Sequence, residues 1–162
     1  MPLKMLKVLK ISKKDLDKDN YYNKDGLDFD GHIEIDSNLG NVRFKLGVKS
    51  KGYIDVKAGS GIKAGEGIEA GWGIKAGEGI EAGEGIEAGE GIKAGEGTKA
   101  GEGIISGLLT FPANIFAKFI DVKLRICAGF NCKKQQVINA KIRNGEIILG
   151  KLKEVKPNSS QS

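Results

Sequence analysis

Six aspartates crowd the span DLDKDNYYNKDGLDFDG: Asp15, Asp17, Asp19, Asp25, Asp28 and Asp30. Clustered carboxylates are the donors of a calcium loop. Such a loop needs its Asp ligands, a turn glycine and a closing Glu in one register, and no register here supplies all three. A solvated turn region is the expectation. His32 is the only histidine, and Cys127 and Cys132 lie five residues apart with no second pair. A four-ligand zinc site would need carboxylates to complete it. A Cys–His nucleophile pair would lack a third group to orient the base. Gly-x-Gly-x-x-x-Gly recurs along the chain, but phosphate-binding loops use another spacing and join a strand to a helix. No catalytic residue, metal site or cofactor is expected, and the chain reads as a non-enzyme.

What remains is surface chemistry. From Val56 to Gly107 the chain repeats I-[KE]-A-G-E-G. The fifth position carries Glu78, Glu84, Glu90, Glu96 and Glu102, and at one copy Trp72 replaces the Glu. A lone Trp among acidic side chains either packs half-buried over a neighbouring glycine corner or anchors an interface. Charge is unevenly spread. Residues 58–107 carry 4 basic and 9 acidic side chains, whereas residues 108–162 carry 10 and 3. The latter include a candidate basic surface of Arg125, Lys133, Lys134, Lys141 and Arg143. An acidic middle and a basic C-terminal region can face different partners.

The repeat must position these side chains. Two glycines per hexad exclude a helix, since each costs about 1 kcal/mol relative to Ala. Collagen needs Gly at every third position, and here the spacing alternates four and two. In I-[KE]-A a strand would send Ile and Ala one way and the charge the other. Gly-Glu-Gly must then turn a corner, and positive φ at glycine is the expected device. The predicted fold is all-β, a parallel β-solenoid with Ile and Ala inside and charges outside. Three hexads per coil would match the left-handed hexapeptide β-helix of many acyltransferases. A flatter two-sided coil and an antiparallel meander remain alternatives.

The expected organisation is an N-terminal strand or cap with an acidic turn region (1–30), a solenoid (31–107, regular hexads 56–107), a C-terminal cap and β-hairpin (108–155) and an unstructured tail (156–162). Phe111, Ile115, Phe116 and Phe119 should supply the cap that a solenoid end requires. Asn144-Gly145 between alternating runs predicts the hairpin. Lysines interrupt the apolar residues of the N-terminus, and the longest uncharged run, Gly103 to Ala117, contains Pro112. A cytoplasmic protein without a membrane partner is expected.

The stretch GYIDVKAGSGIKAGEGIEAGWGIKAGEG followed by KLRICAGF resembles uncharacterised Gly-rich hexad-repeat proteins of bacteria and their phages, over roughly residues 30–130. The resemblance implies no site residues. It places the chain among short phage-shared repeat proteins without enzymatic motifs, which suits an inhibitor of bacterial defence, such as an anti-CRISPR protein acting by nucleic-acid mimicry or occlusion. The expectation is therefore a rigid charged interaction protein whose partner is a protein, a nucleic-acid-binding effector among the candidates. Alternatives are a self-assembling filament or other homo-oligomer, and nucleic-acid binding through the basic C-terminal region.

Overall fold

The computed structural model describes residues 5–107, 114–129 and 136–153. The chain enters through β1 (Lys7–Ile11), a single 3-10 turn (Lys13–Asp15) and β2 (Leu27–Phe29). Next come β3 (Gly31–Ile35), β4 (Gly40–Phe44), β5 (Val48–Ser50) and β6 (Ile54–Val56). The regular hexads form β7 (Ser60–Ala64), β8 (Ile68–Ala70), β9 (Ile74–Ala76), β10 (Ile80–Ala82), β11 (Ile86–Ala88), β12 (Ile92–Ala94), β13 (Gly97–Ala100) and β14 (Ile104–Ser106). Two long strands, β15 (Ile115–Ala128) and β16 (Val137–Leu149), and the short β17 (Lys151–Leu152) complete the stack. No described helix is long and apolar enough to cross a membrane.

Pairing between these strands is parallel, and each hexad strand meets the third one after it: β7 with β10, β8 with β11, β9 with β12. The solenoid is therefore three-sided, with three hexads per coil. The first face stacks β1, β3, β6, β9, β12 and the start of β15. The second stacks β4, β7, β10, β13 and the middle of β15. The third stacks β2, β5, β8, β11, β14 and the end of β15. A coil of the regular region takes 18 residues, from Ile62 to Ile80. Below it the step widens to 20 (Ile54 to Ile74) and 21 (Ile33 to Ile54), and above it to 22 (Ile104 to Ile126). The irregular flanks are wider coils of the same stack.

Alternation explains the core. Ile62, Ile68, Ile74, Ile80, Ile86 and Ile92 are buried together with the alanines two residues after them, and with Ile104 they form one continuous cluster with Ile33, Ile35, Val42 and Phe44 below. Each Ile stacks on an Ile one coil away, so identical side chains fill identical spaces along the axis. Thr98 occupies one Ile place, between Ile80 and Ile120, and its buried Oγ1 has no hydrogen-bond partner.

Three expectations are corrected. The Gly-Glu-Gly corners do not use positive φ, which is confined among glycines to Gly40, Gly59, Gly107, Gly129, Gly145 and Gly150. At Gly65, Gly71, Gly77, Gly83, Gly95 and Gly101 the first glycine of the corner is needed because the coils approach too closely for a side chain: a Cβ on Gly83 would lie 2.0 Å from the Gly65 carbonyl oxygen. Second, Asn144-Gly145 does not make a hairpin. β16 runs parallel to β15, and Gly145 (φ 109°) turns the corner between the second and third faces, where a Cβ would strike Val122. Third, inward positions at the C-terminal end go to Ile115, Ile120, Val122 and Ile126, whereas Phe116 and Phe119 point outward. Phe116 follows an inward Ile115, and alternation sends it to the opposite side. Phe111 lies outside the described residues.

Candidate functional site

With 18 residues per coil, the strand charge of every third hexad falls in one outward column. The first face carries Glu34, Asp55, Lys75, Lys93 and Phe116 in register. The second carries Arg43, Lys63, Glu81, Lys99 and Asp121. The third carries Asp28, Lys49, Glu69 and Glu87. From Lys63 to Asp121 opposite charges alternate on the second face, where Lys63 pairs with Glu81 at 3.1 Å. Like charges stack on the other two, Lys75 on Lys93 and Glu69 on Glu87.

The corner residues divide in the same way, so the glutamates do not form a single column. Backbone hydrogen bonds stack Ser60, Glu78, Glu96 and Lys118 on the edge between the first and second faces. Glu66, Glu84 and Glu102 stack between the second and third faces, and Trp72 and Glu90 stack between the third and first. Lys118 neutralises Glu96. The third face and its two edges thus gather Glu66, Glu69, Glu84, Glu87, Glu90 and Glu102, while the four lysines of residues 58–107 all lie on the other faces. Lys49 pairs with Glu69 at 3.2 Å. Among the described residues no cation pairs with any of the other five. These six carboxylates fall two, three and one to successive coils, so at about 4.8 Å per coil they average one negative charge on about 2.4 Å of axis, against one per about 1.7 Å of duplex DNA.

Trp72 stands on the margin of this acidic face and is 43% exposed. It tops an aromatic ladder. The His32 and Tyr53 rings stack at 3.9 Å, and His32 meets the Trp72 indole edge-on at 4.8 Å. The Tyr53 amide donates to His32 Nδ1 (3.0 Å), so that nitrogen is an acceptor held by backbone. The Tyr53 hydroxyl donates to Glu34 (2.9 Å). His32 is therefore a structural residue, supporting the rings beneath Trp72. On the first-face side of Trp72 lies an open groove of about 480 Å³, with Tyr53 at one end, Phe116 at the other, and Lys75, Lys93, Glu90 and Asn114 along it.

Cys127 is buried, and burial pushes its thiol above the ordinary 9.0 against the opposing pull of Arg125. A protonated, enclosed thiol is a poor nucleophile or ligand. It lies near the C-terminal end, on the third face, while His32 lies in a low coil of the first. Among the described residues no three potential metal ligands converge. Four of the six aspartates of the turn region are engaged: Asp15 accepts from the Ser12 amide and hydroxyl, Asp17 from the amides of Asp19 and Tyr21, and Asp25 and Asp30 pair with Lys45 and Lys51.

Of the candidate basic surface, Lys141 and Arg143 lie on the second face at the C-terminal end, and Arg125 lies at the start of the third. The Arg143 guanidinium covers the Phe119 ring at 3.6 Å. Lys133 and Lys134 lie outside the described residues, as does Cys132. Glu69 and Glu87 join the corner glutamates, Glu66 among them, only once the 18-residue period is known. No protein-family model, curated protein or solved structure matches the chain.

Proposed function

We propose that this chain is a non-catalytic binding protein that docks its acidic third face onto a basic surface of a larger protein. The observation that carries the proposal is the segregation of charge: six carboxylates converge on one face and its edges, and among the described residues Lys49 alone pairs with any of them. The stack resists rearrangement because every outward residue is fixed by an inward neighbour packed in the core. A face of this charge density competes with nucleic acid for a basic groove and steers encounter at long range. The specific form of the proposal is an inhibitor of a nucleic-acid-binding effector of bacterial defence, which the resemblance noted above supports by association only.

Capture from a bacterial lysate on the immobilised chain, read by mass spectrometry, tests this. The expected captives are nucleic-acid-binding proteins displaced by duplex DNA and by salt above about 0.3 M. Captives retained by a variant with Glu66, Glu69, Glu84, Glu87 and Glu102 all changed to Gln, and indifferent to DNA, would overturn it.

A further inference from the structure

The groove beside Trp72 differs chemically from the acidic face. Its floor is bare backbone at Gly73 and Gly91, since the hexad places no side chain there. Its ends are the half-buried Tyr53 ring and the exposed Trp72 ring on one side and Phe116, 39% exposed, on the other. Along the first face Lys75 and Lys93 stand in register one coil apart, and neither has an ion-pair partner among the described residues. Asp55, the register neighbour of Lys75 on the other side, also lines the groove and is held by Lys57. Two lysines on strands about 4.8 Å apart repel, and an anion between them relieves the repulsion. The opposite margin offers the Glu90 carboxylate and the Asn114 amide. Asn114 Oδ1 already accepts from the Val137 amide (2.8 Å), which leaves its NH2 group to donate.

We infer that this groove binds a ring-bearing anion of the nucleotide class, with the base against Trp72 or Phe116, the phosphate across Lys75 and Lys93, and sugar hydroxyls toward Glu90 and Asn114. Flat rings stack on aromatic side chains, and a phosphate shared by two lysines makes charge-assisted hydrogen bonds. The volume, about 480 Å³, lies in the range of small-ligand sites. The unit can come from a free nucleotide or from a single strand, and both present the same ring and phosphate. The groove shares the Trp72–Glu90 edge with the acidic face, but its lysines lie on the first face, so changing them tests its occupancy separately from the acidic-face proposal.

Trp72 is the only tryptophan, so its fluorescence reports on the groove directly. Titrations of the intact chain would use adenosine monophosphate, adenosine, inorganic phosphate and an eight-nucleotide single strand. Saturable quenching by the monophosphate is expected, with adenosine and inorganic phosphate each at least about tenfold weaker, since ring and anion must act together. Lys75→Gln/Lys93→Gln should bring the monophosphate down to the affinity of adenosine while leaving adenosine itself within about twofold. A strand binding much more tightly than the monophosphate assigns the site to nucleic acid, and equal affinity assigns it to the free nucleotide. The inference is overturned by absence of quenching at millimolar monophosphate, by inorganic phosphate binding equally well, or by an unchanged double variant that keeps the β-sheet circular dichroism of the parent. An acidic peptide binding where the monophosphate does not would also overturn it, assigning the groove to a protein partner.

Discussion

Thr98 stands where seven hexads carry Ile, and its hydroxyl is the cost of that exchange. A buried hydroxyl without a partner forfeits its hydration, worth roughly 1–3 kcal/mol in proteins. Thr98→Val keeps the shape and removes the orphaned oxygen. It should stabilise the chain by about 1 kcal/mol and raise the melting temperature by about 3 °C. Urea unfolding checks this: the midpoint should rise with an unchanged slope, and a destabilised variant would mean that the hydroxyl has a partner. The same scale shows where sequence reading ran out. The inward Ile and Ala were legible from spacing alone, because alternation fixes them whichever way the coil closes. The company of each charge was not: Lys63 could neighbour Glu69 along the chain or Glu81 along the axis, and only the coil size decides between them.

At the scale of the element, the two glycines of the corner Gly83-Glu84-Gly85 are unequal. The first sits under the carbonyl of the coil below, as Gly83 does under Gly65, whereas a Cβ on Gly85 would meet the Gly103 oxygen at an ordinary 3.6 Å. Gly83→Ala should therefore cost at least about 3 kcal/mol, because backbone on both sides cannot yield. Gly85→Ala should be neutral or stabilising by up to about 1 kcal/mol, by restricting the unfolded chain. Parallel denaturant titrations of the two variants distinguish this account from one in which both glycines are needed for positive φ, where both substitutions would be destabilising. The sequence marked every corner correctly but gave the wrong reason for the glycines, since composition does not distinguish a left-handed backbone from a close approach. The Asn144-Gly145 signal failed similarly. It announces a turn, and a solenoid corner is a turn that keeps the strand direction parallel.

At the scale of the whole molecule, a six-residue repeat on a three-sided coil sorts its outward side chains by an 18-residue period. Small changes at the second hexad position then write different charge patterns on three faces: balanced on the second, cationic beside the aromatic groove on the first, acidic on the third. Counting charge along the chain mixes these faces and hides the segregation. The most direct test is kinetic, on a partner captured by the intact chain. Changing Glu66, Glu84 and Glu102 to Lys reverses one edge of the acidic face without touching the core, so stability should shift by no more than about 1 kcal/mol. The account predicts an association rate at least about tenfold slower at low salt, with parent and variant converging as ionic strength rises. An unchanged rate for this reversal, together with loss of binding when Arg125, Lys141 and Arg143 become Ser, would contradict it and move the binding face to the basic C-terminal end.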